Sequence, residues 1–586
     1  MSTGIETADR RGSVTSNKNR YDGGKDSPNK EAANSEPTVR HNAVPEDGVS
    51  LADENEDARL QALTGHKSEF VREFKSLSTF SFAMSIMGLI SSVITTFNTP
   101  FTTGGGPATI WTWLMGSCFN FCLGLSIAEL VSAFPSCGGL YSVSGLVVPR
   151  KYSAVVAYGV GWANGLGQIA GIAGTAYGLS SMIMSWAYVI TNGAFVASTA
   201  QLIGVYIAIM VIAGVINSFP TSWLAKLTAS YVFVNLITTC VVSILVLART
   251  PSGEFLSASQ GVGSVENGTA NTLGNSWPTG LAFLIGLQMV QFVMTDYDAT
   301  AHISEEVSRA AIAAPVAIVE AVACTGIFGF FLVTSLVFAS GNVLGTTVDS
   351  WPGGLAAAAI LLDRGGKVAF LVIWPFACMV AFFVVITALQ ANARSFYALA
   401  RDRAIPVIFA RVEKRTRVTI NAVWLVVFLN IVLIMLAFAS YTAAAAIFSL
   451  AALGMDLSYW VPILCRLIWE DHPEVRFKEK RGPFYLGSGI LSKTVNWITV
   501  FWVIFECIIL CIPTVPLEGL AMSEWPLLMN WAAVVFVGVM VLAYAWYIAG
   551  GHKFYRAPGS AVEDHSRHGG NSVVVDDNSS NEKHFH

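Results

Sequence analysis

The sequence predicts an all-α integral membrane protein of twelve transmembrane helices, the first and sixth of them broken. Three observations lead there. Hydrophobic residues fill 53% of the 586 positions and charged ones only 13%, a balance that suits a polytopic membrane chain and not a string of soluble domains. The apolar residues gather into twelve runs of spanning length. One of them is interrupted by Thr295-Asp-Tyr-Asp-Ala-Thr-Ala-His-Ile-Ser-Glu-Glu306, which sets four carboxylates and an imidazole where lipid should be. A carboxylate near the bilayer centre costs ~2.5–3.5 kcal/mol on insertion scales, so Asp296 and Asp298 must face a wet cavity, a partner or a solute.

In chain order, residues 1–75 are polar with no apolar run, which argues against a cleaved signal peptide and for a disordered cytoplasmic tail. A twelve-helix domain follows over 76–553, and a second disordered cytoplasmic tail over 554–586. The expected spans are Ser78 to Phe97, Ala108 to Ala133, Ala154 to Ile190, Ala197 to Ile216, Ser230 to Ala248, and the broken Thr279 to Glu306. Then come Ala313 to Ser340, Val368 to Ala400, Ile420 to Ala439, Ala443 to Leu467, Val495 to Val515 and Trp525 to Ala549. An even count puts both termini on one side. Arg150, Lys151, Arg309, the basic run from Arg401 to Arg417 and that from Arg466 to Lys493 all fall in loops of that side, while the opposite loops hold only Arg249, Arg364 and Lys367. Both termini are therefore expected in the cytoplasm. The sequon Asn267-Gly-Thr269 then lands in the longest outward loop, where Asn267 is a candidate glycosylation site.

Several classes of function are disfavoured. Near-neutral charge argues against a nucleic-acid partner, and the nine cysteines lack paired CxxC spacing, so neither a disulfide framework nor a zinc site is indicated. His302 is the one imidazole near the acidic cluster, too few ligands for a metal. No nucleophile–base pair suggests an enzyme, no cofactor is implied, and nothing repeats as a ring-forming filter.

The candidate residues lie at the two interruptions. In the first span Gly88, Ser91 and Ser92 weaken the helix ladder; unwinding there would free the amides of Ser91, Ser92 and Val93 as an anion site, whereas a small-residue face for close helix packing is the competing reading. Thr103-Gly-Gly-Gly-Pro107 lacks GK[ST] and reads as a tight outer loop. Glu129 at the end of the second span is expected to pair with Arg394 or Arg401, or to line an inner gate, and Pro135, Gly138 and Gly139 allow a sharp turn after it. Asp298, His302, Glu305 and Glu306 are spaced i, i+4, i+7 and i+8, so on a helix they share one stripe, either a proton relay or a structural lock in which Glu305 and Glu306 bind Arg309 or the basic inner loops. Asp456, Glu320 and Glu506 are further acids within spans.

Together these segments resemble the amino acid-polyamine-organocation permeases, in particular their fungal amino acid/choline branch. The resemblance rests on Glu129-Leu-Val-Ser-Ala-Phe-Pro-Ser-Cys-Gly-Gly-Leu-Tyr141, Tyr297-Asp-Ala-Thr-Ala-His-Ile-Ser-Glu-Glu306 and Arg394-Ser-Phe-Tyr-Ala-Leu-Ala-Arg-Asp-Arg-Ala-Ile-Pro406, supported by Gly161-Trp-Ala-Asn-Gly-Leu-Gly-Gln-Ile-Ala170. It covers about residues 70 to 555 and implies a LeuT-type core of two inverted five-helix repeats plus two helices. It implies proton-coupled uptake of a small amino acid or related amine, with a gamma-aminobutyrate-like zwitterion favoured over choline or polyamines. A non-transporting nutrient receptor of the same fold is the other class. On that reading the substrate carboxylate sits at Ser91, Ser92 and Val93, and its ammonium at the sixth-span carbonyls with Asp296 or Asp298. Thr295 and Tyr297 add neutral hydrogen bonds, and Trp162 or Phe292 an aromatic wall. Lys226, opening the fifth span, is either a fixed cation replacing sodium or a positive-inside anchor. The plasma membrane is favoured over the vacuolar one.

Overall fold

The computed structural model describes residues 70–341, 343, 351–438, 441–475 and 477–559, with Ala58 and Gln61. The expected tails lie mostly outside these residues. The first span is two helices, α1 (Ser76–Met87) and α2 (Leu89–Thr96), hinged at Gly88. There follow α3 (Asn98–Ala133), the short α4 (Gly139–Leu146), α5 (Arg150–Ile190), α6 (Thr199–Ile216), α7 (Thr221–Thr228) and α8 (Tyr231–Arg249). The sixth span is split into α9 (Thr279–Ile285), α10 (Leu287–Val293) and the single turn α11 (Ala299–His302). The chain continues through α12 (Ala310–Ser340), α13 (Ala356–Arg401), α14 (Ile420–Ile434), α15 (Tyr441–Trp469), α16 (Ile490–Leu510), α17 (Trp525–Leu528) and α18 (Ala532–Ala549).

Nine helices among the described residues are long and apolar enough to cross a membrane, and two shorter apolar ones cover Thr279–Val293 and Ile420–Ile434. The 41-residue α5, diluted by Gly, Ala, Ser and Tyr, completes twelve. The chain is an integral, multi-pass membrane protein. Its outer surface is apolar, with Ile490, Val368, Leu542 and Phe501 well exposed, while Asp298, Asn392 and Glu506 have no exposed surface at all. Water-soluble proteins invert that distribution.

Close helix approach is set by glycine. Gly167 of α5 and Gly454 of α15 meet backbone to backbone; a Cβ on Gly454 would lie 2.8 Å from the Gly167 Cα. That contact brings the polar face of α5 against α15. Gly88 has φ 49° and ψ 51°, and a Cβ there would stand 2.1 Å from Val384 Cγ2 of α13. The hinge in the first span is thus doubly dependent on the missing side chain.

Several expected boundaries are corrected. Thr103 to Pro107 is no free loop but a kinked stretch within α3, with Gly105 at φ 70°, ψ −160°, because Gly106 packs on the backbone of Gln260 and Gly261. The last span begins at Ala532 and not at Trp525: Trp525–Leu528 is a separate short helix, and Asn530 Oδ1 accepts from the Ala532 amide at 3.1 Å where the span opens. Residues 70–75 and 554–559 are held against the bundle, as Phe74 bridges to Val307 and the Arg556 amide donates to the Asp402 carbonyl at 3.0 Å.

Gly88→Ala is expected to lower stability by about 2–4 kcal/mol, the sum of a left-handed backbone penalty and overpacking against Val384. Thermal unfolding of the detergent-solubilised protein measures this; an unchanged midpoint would remove Gly88 as the hinge.

Candidate functional site at the two helix breaks

The first break is placed at Gly88, one turn before Ser91 and Ser92. Both serines lie in the opening turn of α2 and turn back on the break: Ser91 Oγ donates to the Gly88 carbonyl at 2.9 Å, and Ser92 Oγ to the Met87 carbonyl at 3.0 Å. The Ser92 amide is taken by the Gly88 carbonyl at 2.9 Å and the Ile90 amide by Asn235 Oδ1 at 3.4 Å. Val93 is the fifth residue of α2, past the four positions whose amides lack an intrahelical acceptor. The amide edge available to a ligand is therefore narrower than the sequence suggested.

At the second break the backbone leaves helical geometry after Val293 and resumes at Ala299. Asp296 sits at φ 62°, a conformation few residues other than glycine adopt and one that marks a built-in turn. Its amide donates to the Tyr459 hydroxyl at 3.2 Å. That hydroxyl donates in turn to Asp298 Oδ1 at 2.6 Å, while Asn164 Nδ2 donates to Asp298 Oδ2 at 3.2 Å. His302 Nε2 lies 3.4 Å from Asp298 Oδ2, and its Nδ1 faces the Cys137 carbonyl at 3.2 Å. Asp298 is thus occupied by protein partners on both oxygens. Asp296 is not: Oδ1 is buried without a hydrogen bond, as are Thr295 Oγ1, the Tyr297 hydroxyl and both amide atoms of Gln168, which faces Asp296 from α5. Buried polar atoms left unsatisfied cost ~1–3 kcal/mol each, and here they give the break spare hydrogen-bonding capacity.

Asn164 and Gln168 escaped the sequence reading. They are one helical turn apart within the glycine-rich Gly161–Ala170 segment, and that i, i+4 polar pair on an apolar helix was the available signal. Trp162, the residue singled out there, points elsewhere: it lines an apolar cavity with Tyr158, Ile405 and Trp546. Phe292 packs edge-on to Phe448, centroids 4.7 Å apart, close beside Gly174. Lys226 is exposed on α7 and is not brought to the breaks, and Glu320 is exposed on α12 and so is not a buried acid. Asn267 is exposed, with its amide donating to the Trp277 carbonyl at 2.6 Å.

On the side carrying both chain ends the site is closed by ion pairs. Arg394 Nε meets Glu306 Oε1 at 2.5 Å, Arg394 Nη1 donates to Thr419 Oγ1 at 3.0 Å, and the guanidinium lies over the Phe70 ring at 4.9 Å. Arg401 Nη1 is 3.6 Å from Glu305 Oε1. Glu305 and Glu306 therefore pair with α13, and not with Arg309. The expected single stripe is also revised, because Ile303 interrupts the helix and Ser304–Glu306 form a separate 3-10 turn. Glu129 pairs with neither Arg394 nor Arg401. Arg466 of α15 holds both its oxygens, at 2.6 and 2.9 Å, a fork that only tertiary packing could bring together. Gly139, at φ 51°, lets the His302 ring lie where a Cβ would be 2.5 Å from Cε1. The chain ends complete the closure: the Glu306 carbonyl accepts from the Glu73 and Phe74 amides, and the Tyr555 hydroxyl donates to that of Tyr141, which donates to Asp402 Oδ2 at 2.7 Å.

On the opposite side a cavity of about 220 Å³ lies between the ends of α3, α9, α15 and α16, bordered by Asn98, Gln288, Ser449 and Ile509. Paired broken helices around buried polar groups, closed on one face and hollow on the other, define a secondary transporter of small solutes and not an enzyme. The chain belongs to the amino acid permease family, whose model matches residues 74–550. It is 36% identical to an uncharacterized amino-acid permease of Schizosaccharomyces pombe over 86% of this chain and 90% of that one. It is 30% identical to a putative polyamine transporter of Candida albicans, covering 87% and 90%, and 28% identical to a GABA-specific permease of Saccharomyces cerevisiae, covering 88% of each.

Glu129→Leu alone strands Arg466 in the interior and is expected to cost about 3–5 kcal/mol. The double substitution Glu129→Leu with Arg466→Met is expected to unfold at a higher temperature than that single variant; a double variant that is worse would show that the pair is net stabilising.

Proposed function

We propose that this permease takes up a small zwitterion of the gamma-aminobutyrate type by proton-coupled alternating access, with both termini in the cytoplasm and the plasma membrane as its site. The observation that carries the reading is Asp296, a buried carboxylate with one unpartnered oxygen beside Thr295 and Gln168 at the break of the sixth span. An ammonium group supplies what that oxygen lacks, and the carbonyls at the end of α10 add the negative end of a helix. The substrate carboxylate is assigned to the opening turn of α2, at Ser91, which packs against α10 across the site. Asp298 holds Tyr459 and Asn164 in register and is assigned to positioning, not to the ammonium.

With the basic loops inside, the closed face is the cytoplasmic one and the 220 Å³ cavity opens outward. Inward opening then requires Arg394–Glu306 and Arg401–Glu305 to part, which gives Glu305 and Glu306 the role of gate locks and makes His302, wedged on Gly139, the joint between gate and site.

A diamine is the competing cargo, favoured by the buried acids without a cation and in keeping with the relative named for polyamines. In permease-deficient cells, Asp296→Asn is expected to reduce labelled gamma-aminobutyrate uptake about 10- to 100-fold with surface expression retained, the loss of one charge-assisted hydrogen bond of ~1.5–3 kcal/mol. Uptake in the wild-type cells is expected to fall with excess unlabelled zwitterion and to resist putrescine and choline. Stronger competition by putrescine would transfer the assignment to diamines, and unchanged uptake in Asp296→Asn would remove Asp296 from the site.

A further inference from the structure

Away from the assigned substrate groups, two more acids are buried where α10, α15 and α16 converge. Asp456 and Glu506 face each other within hydrogen-bonding reach, at 2% and 0% exposure. Their neighbours have a direction. Asn120 Nδ2 of α3 donates to Gln291 Oε1 at 2.7 Å, which turns the Gln291 amide nitrogen onto Glu506 Oε2. Glu506 Oε1 and Asp456 Oδ2 are left with no hydrogen bond. The Tyr297 hydroxyl, fully buried and also without a partner, faces Asp456, Asp298 and Glu506 from the sixth-span break, and the Cys507 thiol faces the pair from α16. Among the described residues no Lys, Arg or His acts on either carboxyl.

Two adjacent carboxylates in a dry interior repel, and among the described residues no donor reaches Glu506 Oε1 or Asp456 Oδ2. A proton supplies that donor. It turns one carboxyl into an O–H group that bonds the other, satisfying both and halving the charge. Two carboxyl groups within hydrogen-bonding reach of each other need no further ligand to share a proton. Access follows from helix geometry. Gln288, Ser449 and Ile509 border the open cavity, and Gln291, Asp456 and Glu506 lie three residues, seven residues and three residues deeper on the same helices, about 5–10 Å down.

We propose that the Asp456–Glu506 pair is the proton seat of this permease, loaded from the open cavity and coupled to the sixth-span break through Tyr297. Glu506 lies on α16, outside the ten helices that the inverted repeat comprises, so coupling here recruits a helix added to the core. The proposal rests on the proton-coupled reading above and sharpens it. Movement of the break between open states changes what Tyr297 and Asp298 present to Asp456, and with it the hold on the proton.

The test uses the full-length protein in liposomes, with labelled gamma-aminobutyrate followed in two modes: accumulation driven by a pH gradient, and one-for-one exchange without a gradient. Glu506→Gln and Asp456→Asn are expected to lose gradient-driven accumulation about tenfold or more, to show a flattened pH dependence, and to keep exchange. A wild-type protein that exchanges label but gains nothing from the gradient overturns the proton-coupled reading and the role of the pair with it. A coupled wild type with equally coupled Glu506→Gln and Asp456→Asn overturns the pair alone. Loss of exchange in both variants also overturns it, because the pair would then serve the fold or the passage of substrate.

Discussion

A charge inside a membrane protein must be answered by a partner, and the arrangement of this permease follows from how each buried acid is answered. Glu129, Glu305 and Glu306 are met by Arg466, Arg401 and Arg394, all near the face that carries the chain ends. Toward the centre the supply of cations stops. Asp298 is answered by neutral donors and by His302, Asp296 Oδ1 by no donor, and Asp456 with Glu506 by each other. The gradient runs from acids ion-paired with arginine at the closed face to acids without such a partner nearer the cavity. Only where the protein has not already supplied the counter-charge can a cation from outside supply it.

Glycine makes this possible. The Asn164 and Gln168 face of α5 reaches the break because Gly167 and Gly454 let α5 and α15 touch along their backbones. The first span bends at Gly88 because α13 occupies the space that any side chain would need. Gly139 admits the His302 ring, which links the Cys137 turn to Asp298. In each case a polar contact depends on a side chain that is absent. Apolar packing between helices in lipid has no hydrophobic drive of its own, so close approach and hydrogen bonds carry the specificity.

The closed face also accounts for the two chain ends. Phe70 covers Arg394, the Phe74 strand bridge pins Val307 beside Glu306, and Tyr555 joins Tyr141 and Asp402. The segments that leave the first and last spans are thus part of the same contact set as the ion pairs. Any movement that separates Arg394 from Glu306 disturbs the roots of both tails.

The class was legible in the residues alone: twelve apolar runs, the interruption from Thr295 to Glu306, and the small residues near Ser91 stand out because a bilayer sets span length and penalises charge in a way that composition records directly. It located the acids, and the resemblance carried by the Glu129, Tyr297 and Arg394 segments located the family. Which acid meets which base was decided by tertiary structure alone. Glu129 went to Arg466, 337 residues away, and not to Arg394, because partner choice depends on which helix faces which and no helical period encodes that. The same holds for Asp296 and Asp298, two residues apart and alike in the sequence. The turn at Asp296 sets the Asp298 carboxylate on Tyr459 and Asn164 and leaves Oδ1 of Asp296 without a hydrogen bond, and that difference is a property of the packed break, not of the letters that spell it.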